Sequence, residues 1–282
     1  MASILNQGYP NIEYVVIDGG STDGSVDVIR KYENRLTYWV SEPDRGHFDA
    51  LNKGFERTTG EIMAWLNSDD RLTPWALSIV AEILKAFPEV EWLTSVYPLI
   101  WDKQGRAVAC WDLGGFSKKA FLKGANLPGR RWSARGSIQQ ESTFWRRSLW
   151  ERAGGYTDGT LKIAGDFELW ARFYQHADLY GVAAPLGGFR LHGNQITAHR
   201  MEEYRVIAER FFRHYGGSPY SRLESMLRSV MRRATRRGLG PGRGGSASVL
   251  SLFARLGVLY PTKVFRYDHR AEGWELRTVY IV

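Results

Sequence analysis

The stretch Glu61-Ile62-Met63-Ala64-Trp65-Leu66-Asn67-Ser68-Asp69-Asp70 decides how the rest of the chain reads. A short apolar run ends abruptly in two adjacent carboxylates, and Arg71-Leu72-Thr73-Pro74 follows. Open α/β sheets take their ligands beyond the carboxyl ends of the strands, so a buried strand tipped with acids marks a candidate site. Paired carboxylates there suit a hard cation such as Mg2+ or Mn2+, which takes oxygen ligands and shares them with substrate phosphates. The alternative is that Asp69 and Asp70 cap the following helix, although Thr73 before Pro74 already offers a cap.

Working towards the N-terminus, Gly60 closes a helix that runs through Phe48, Leu51 and Phe55 and opens at Asp44-Arg45-Gly46. Leu36 to Ser41 reads as a strand before it. Further back, Asn11 to Asp18 is another, its Ile12, Tyr14, Val15, Val16 and Ile17 forming the near-continuous apolar run typical of a parallel sheet. Between the two lies Asp18-Gly19-Gly20-Ser21-Thr22-Asp23-Gly24-Ser25, opening a helix at about Val26. Such a loop lets backbone amides approach an anion, and a plain strand-to-helix turn uses the same residues. Residues 2–8 read as the last turns of a helix ending at Gly8, with Pro10 forbidding continuation.

Working towards the C-terminus, the spacing of Trp75, Ile79, Ile83 and Phe87 predicts a helix over 74–87 with these residues on its buried face. The alternation of strands and helices predicts a parallel α/β sheet with right-handed crossovers. Val90 to Ser95 adds a strand, and 96–111 reads as a hairpin turning at Asp102-Lys103-Gln104-Gly105. Residues 112–137, rich in Gly, Arg and Lys, are expected to form a loop over the site. Asp166, in Gly165-Asp166-Phe167-Glu168, falls at a helix N-terminus, where Asp is commonly a cap. Leu179 to Ala184 is a further strand, and the histidine in Phe189-Arg190-Leu191-His192 is of a kind that is usually structural.

The 282 residues allow one large domain with an appendage or two small domains, and 44% apolar residues suffice for a substantial core. Thirty-eight Lys and Arg against 30 Asp and Glu suit an anionic partner without choosing among nucleic acid, lipid and phosphorylated substrate. The single cysteine, Cys110, excludes an intramolecular disulfide. No run approaches the ~18 apolar residues of a membrane span, and the N-terminus lacks a signal peptide's pattern. The expected location is the cytoplasm, with contact to a membrane from that side.

Several of these segments together resemble family 2 glycosyltransferases. The likeness implies a GT-A fold: a Rossmann-like mixed α/β sheet flanked by helices. Ile17 to Ser25 is similar to the family's second-strand motif, which implies that Asp18 contacts the nucleotide base. Asp44-Arg45-Gly46 with Asn52 resembles the donor-side helix, and Trp65 to Asp70 resembles the DXD-type motif, with Asn67 replacing its first acid. The resemblance therefore implies a nucleotide-sugar site of Asp18, Asp44, Asn52, Asn67, Asp69 and Gln140. It also implies a Mg2+ or Mn2+ site of Asp69, Asp70 and His192, the last from a C-terminal histidine motif. Gln139 to Arg147 is similar to the stretch lining donor sugar and acceptor. Gly165-Asp166 stands where many members have Glu-Asp, which makes Asp166 the catalytic base.

The implied reaction moves a sugar from a nucleoside diphosphate to an acceptor hydroxyl with inversion, in cell-surface polysaccharide or lipid-linked glycan synthesis. The metal would act as a Lewis acid on the departing diphosphate, and Asp166 would take the hydroxyl proton. A solvated Asp, with a pKa of about 3.9, would already be ionised. The resemblance covers residues 2 to about 199. It lacks the strand and most of the helix that precede Leu5-Asn6-Gln7-Gly8-Tyr9-Pro10 in the family, so either the true start lies upstream or the chain is damaged or partner-completed.

The domain expectation is a glycosyltransferase domain over 1–200 and a helical, Arg-rich extension over 201–282. In the extension Leu223, Met226, Leu227, Val230 and Met231 repeat at helical spacing beside Arg228, Arg232, Arg233, Arg236 and Arg237. That pattern fits a core-packing helix with a solvated face, or a helix lying on anionic lipid. Gly238 to Ser246 reads as a flexible linker, and 247–282 carries no assignable pattern. Two other readings compete. A catalytically impaired nucleotide-sugar binder is suggested by Gly165 and the absent strand. Nucleic-acid binding has only the arginines behind it and is not expected, since the acids at 18, 44, 69, 70 and 166 would repel phosphates unless a cation intervened.

Overall fold

In the computed structural model, residues 1–128, 136–193, 195–236, 257 and 259–281 are described. Helix α1 (Ala2–Leu5) leads to β1 (Val15–Asp18), α2 (Ser25–Arg30), β2 (Tyr38–Ser41), α3 (His47–Phe55), β3 (Ile62–Met63), β4 (Arg71–Leu72) and α4 (Ala76–Ala86). Then come β5 (Trp92–Ser95), β6 (Leu99–Trp101), β7 (Ala107–Cys110), α5 (Lys118–Phe121), β8 (Thr143–Arg146) and α6 (Arg147–Arg152). Helix α7 (Gly165–His176), β9 (Tyr180–Val182), β10 (Gly187–Arg190), α8 (Ile196–His214), α9 (Arg222–Arg236), β11 (Tyr260–Asp268) and β12 (Gly273–Ile281) complete the order.

The main sheet has the order β12-β11-β9-β5-β8-β3 and is mixed. Strand β5 pairs parallel with β9 and antiparallel with β8, while β3 pairs antiparallel with β8. Its residues alternate between two cores, as a period of two requires. Trp92, Trp145 and Val264 point into one core, built with Phe167, Trp170 and Phe173 of α7 and Ala208 and Phe212 of α8. Their neighbours Leu93, Phe144 and Phe265 enter the other, built with Ala76, Val80, Ile83 and Leu84 of α4. A second sheet, β4-β10-β6-β7, and the parallel pair β1-β2 stand beside it.

The first core is aromatic. Trp65 stacks on Trp170 at 5.7 Å between ring centroids, and Trp145 meets Trp65 edge-on at 5.4 Å. Each such pair adds about 0.5–1.5 kcal/mol beyond its buried area. The segment that carries Asn67, Asp69 and Asp70 is therefore rooted in rigid packing through Trp65. Glu168 and Arg172 of α7 form a buried two-pronged pair at 2.7 and 2.8 Å, and Tyr215, which follows α8, donates to Glu168 at 3.2 Å.

Three expectations change. The acid-tipped strand is laddered only over Ile62–Met63; beyond it the Gln140 side chain, not a strand, donates to the Trp65 carbonyl. Helix α4 buries Ala76, Val80, Ile83 and Leu84, whereas Trp75 is exposed with its indole donating to the Pro185 carbonyl at 2.9 Å. The stretch 201–282 is helical only in part: β11 and β12 form an antiparallel hairpin, and β11 pairs parallel with β9 through Val264 and Phe265. The C-terminal residues thus extend the central sheet, and a division at residue 200 does not follow the strand pairing. The proposed linker, Gly238 to Ser246, and residues 129–135 of the proposed loop lie outside the described residues. Among the described residues no helix is long and apolar enough to cross a membrane.

Candidate active site

Backbone hydrogen bonding turns the chain sharply after the aromatic segment, Asp70 N–H donating to the Asn67 carbonyl at 3.1 Å. This turn presents Asp69, whose Oδ2 lies 2.9 Å from Nε2 of His192. The two residues are 123 apart in sequence, and both are partly exposed. Asp70 faces the other way. Its carboxylate accepts from the Arg190 backbone N–H at 3.0 Å and from the Asn67 amide at 3.2 Å, and the residue is 5% exposed. Burial pushes its carboxyl up to about 6.

Of the three residues expected to hold a metal, the structure brings Asp69 and His192 into contact and engages Asp70 with Arg190 and Asn67. Among the described residues no three acidic, His or Cys side chains cluster as a metal set. Asp70 braces instead: by holding Arg190 it positions the strand end that carries His192. Asp69 and His192 remain a fitting pair for a divalent ion, because a carboxylate and an imidazole leave the other positions to water and phosphate oxygens. The Oδ1 atom of Asn67 is buried without a hydrogen-bond partner, a further neutral oxygen beside them.

Asp166 lies in the first turn of α7, just after Ala164, which holds the left-handed φ of 64°. A non-glycine residue there marks a backbone held by its surroundings. The Asp166 carboxylate accepts from the Phe167 N–H of the helix's own first turn, as the expected cap would. Its two oxygens each lie 3.0 Å from the hydroxyl of Tyr204 on α8, which shares one proton between them. Burial raises the Asp166 carboxyl above its ordinary value, and hydrogen bonds from the Phe167 N–H and Tyr204 oppose that rise. The expectation of an ordinary, solvated Asp thus gives way to a half-buried one. Gly165, which replaces the family's acid, is a packing requirement: a Cβ there would lie 2.6 Å from the Phe48 ring.

Between these parts sits Glu141, which sequence reasoning did not single out. It is buried, its Oε1 has no hydrogen-bond partner, and its carboxyl is raised by burial first and then by the charges of Asp70, Asp166 and Asp69. Glu141 is therefore within electrostatic reach of all three, which joins Asp166 to the Asp69–Asp70 turn. On the other flank His47 feels both Asp44 and Asp69. Neither Glu141 nor Tyr204 had a legible signal, since the first sits within a motif of polar residues and the second on an apolar stripe.

Asp44 accepts from the Gly46 N–H at 2.7 Å, and a Cβ on Gly19 would meet its Oδ2 at 2.5 Å, so the glycine loop packs directly on Asp44. Asp18 accepts from the N–H groups of Gly20 and Ser21 and from the Ser41 hydroxyl, at 3.1, 2.9 and 2.6 Å. Against the upward push of burial, these bonds hold its carboxyl below the usual value. Asn52 is spent on structure: its amide donates to the Thr157 carbonyl at 2.8 Å and accepts from the Thr157 N–H at 2.7 Å. Gln140 is buried; its amide N–H reaches the Trp65 carbonyl and its Oε1 has no partner. A hollow of about 470 Å³, lined by Arg45, Asn52, Thr157 and Lys162 among others, adjoins this cluster, but Asp69, Asp166 and His192 do not line it.

Residues 1–130 match the family model described as glycosyl transferase family 2. An uncharacterized glycosyltransferase of Mycobacterium tuberculosis is 31% identical over 160 residues, which are 56% of this chain and 55% of that protein. The chain thus spans little more than half the length of that relative. A Bacillus subtilis protein named for teichuronic acid biosynthesis, the glycosyltransferase TuaG, is 38% identical over 72 residues, 24% of this chain and 29% of its own. Among solved structures, Staphylococcus aureus TarS 1-349 with UDP-GlcNAc superposes with a TM-score of 0.57 at 16% identity, over 88% of this chain and 70% of that one. The Pyrobaculum calidifontis mannosyltransferase PcManGT, in complex with GDP-Man and Mn2+, gives 0.51 at 19% identity, over 90% and 69%. These likenesses establish the GT-A fold.

Proposed function

From the match of residues 1–130 to the glycosyl transferase family 2 model, we propose that the chain moves a sugar from a nucleoside-diphosphate donor to an acceptor hydroxyl. The observation that carries this reading is the contact of His192 with Asp69, 123 residues apart in sequence, beside a buried Glu141 that feels the charges of Asp70, Asp166 and Asp69. Asp166 acts as the base. As the acceptor oxygen bonds to the anomeric carbon, its proton passes to the Asp166 carboxylate and the bond from that carbon to the diphosphate breaks on the far side. A single displacement of this kind inverts the anomeric centre. A half-buried carboxyl raised above its ordinary value, yet kept ionisable by Tyr204, suits a base that an acceptor can still reach.

Asp69 and His192 would hold the divalent ion, Mg2+ or Mn2+, and Asp70 would hold the His192 segment in place. The ion, when bound, supplies positive charge against the departing diphosphate. Asp18 and Asp44 receive N–H and O–H donors of base and ribose, and Gln140 and Asn67 offer unpartnered oxygens to hydroxyls of the sugar. Asn52 fixes the loop that leads to Asp166. TarS with UDP-GlcNAc and PcManGT with GDP-Man suggest a uridine or guanosine donor, and TuaG suggests a cell-surface polysaccharide product.

The test is donor turnover. UDP- and GDP-sugars incubated with Mn2+ should be consumed by the native protein, and Asp166→Asn should abolish turnover while UDP or GDP binding by calorimetry changes little. Turnover by the variant near the native rate would remove Asp166 from its role. Nucleotide binding with no turnover by the native protein, with any acceptor fraction supplied, would favour the impaired-binder reading.

A further inference from the structure

Helix α9 turns Met226 and Val230 outward. Arg228, only 3% exposed, fixes its rotation: the guanidinium lies 4.3 Å from the Tyr220 ring centre and 4.4 Å from that of Tyr260, and donates to the Gly257 carbonyl. Ser225 and Ser229, on the same side, are half-buried. At 3.6 residues per turn, Met226 and Val230 each lie about 160° around the helix from Arg228. They are 60% and 59% exposed. A helix that packs only on its own protein turns its apolar stripe inward; this one buries an arginine and shows methionine and valine to solvent.

Charge identifies the occupant. Residues 222–236 contain five arginines and one glutamate. Lys123, just after α5, adjoins the start of the helix, lying 3.8 Å from Glu224. A second copy would bring the same positive helix against this one. At 3.6 residues per turn Arg222 and Arg233 border the Met226–Val230 face on one side, and an apolar face bordered by arginines and short on acids is what an interfacial helix presents to a negatively charged bilayer. We propose that the Met226–Val230 face of α9 docks on an anionic lipid surface, the apolar side chains entering the headgroup boundary and the basic residues meeting lipid phosphates. This surface stands independently of the catalytic reading. It would, however, hold the sugar-transfer site beside the membrane, because α8, which supplies Tyr204, runs into α9 after seven residues.

The experiment is co-sedimentation of the full chain with vesicles of phosphatidylcholine alone or mixed with phosphatidylglycerol. Binding is expected only to the mixed vesicles and should weaken with salt. Met226→Asp and Val230→Asp should each weaken it more than about tenfold, the loss expected when a buried apolar side chain becomes a charge. Both residues face solvent, so the melting temperature should be unchanged. No sedimentation, equal sedimentation with both vesicles, or variants that bind like the native chain would overturn the proposal. So would a native dimer that the variants dissociate in the absence of vesicle binding, which would assign the face to a second copy.

Discussion

Replacing Tyr204 by Phe tests the base and its helix at once. The substitution removes one hydroxyl and leaves the ring, so the packing of α8 on α7 is retained. The lost group is the proton donor that lies 3.0 Å from each oxygen of Asp166. A hydrogen bond to a charged partner contributes about 1.5–3 kcal/mol, which is roughly a ten- to hundredfold change in the carboxylate's proton affinity. The sign follows from which form the bond favours. Tyr204 stabilises the ionised carboxylate and opposes the upward push of burial, so its removal raises the proton affinity. Because only the ionised base can accept the hydroxyl proton, the acid limb of the kcat–pH profile should move to higher pH. Above the new limb the rate should return towards that of the native protein. The assay is donor consumption across pH at saturating donor. A loss that is the same at every pH would mean that Tyr204 only supports the fold. An unmoved limb would mean that Asp166 is not the base.

Asp69 and Asp70 should separate by phenotype: Asp69→Asn should weaken Mn2+-dependent UDP or GDP binding with an unchanged melting temperature, whereas Asp70→Ala should lower the melting temperature, checked by calorimetry on both variants. Gly165→Ala places a Cβ 2.6 Å from the Phe48 ring and should cost about 1–3 kcal/mol in urea unfolding, with Phe48→Leu in the same chain restoring part of it. Glu141→Gln should stabilise the protein at neutral pH and leave it unchanged near pH 4. A buried acid raised above its ordinary 4.5 gives the unfolded chain the earlier ionisation, so native stability falls as pH rises past that value. Thermal melts of both forms across pH would show whether the gap opens in that direction.

What could be read from the sequence was local. The hairpin turn at Asp102–Gly105 is present, Gly105 N–H donating to Asp102 at 2.9 Å, because turn chemistry is encoded in adjacent residues. Asp166 was placed at a helix start for the same reason. The Asp69–His192 contact was legible only through a likeness to a family, since nothing local connects residues 123 apart. The pairing of β11 with β9 was not legible: Tyr260–Asp268 alternates as many strands do, and only a remote edge selects its place. The stripe of α4 was misjudged because Trp75 satisfies its indole on Pro185, and Ala76, too small to weigh in a periodicity, holds the buried line. Glu141 was invisible for a plainer reason. What distinguishes it is burial among three other acids, and that is a property of the assembled site.

The substitution of Asn67 for an acid follows from the same packing. Asp70 is sealed under β10, with one oxygen on the Arg190 N–H and the other 3.2 Å from the Asn67 amide nitrogen. A carboxylate at position 67 would offer that oxygen no donor and would add a like charge at hydrogen-bonding distance. In a poorly solvated pocket two carboxylates so placed cannot both stay ionised. An amide solves both problems, giving Asp70 an N–H donor and keeping its own Oδ1 as a neutral oxygen near Asp69. The acid is therefore not simply missing from the motif. Asp69 is the carboxylate that meets His192, while Asn67 and Asp70 pair with each other beside it.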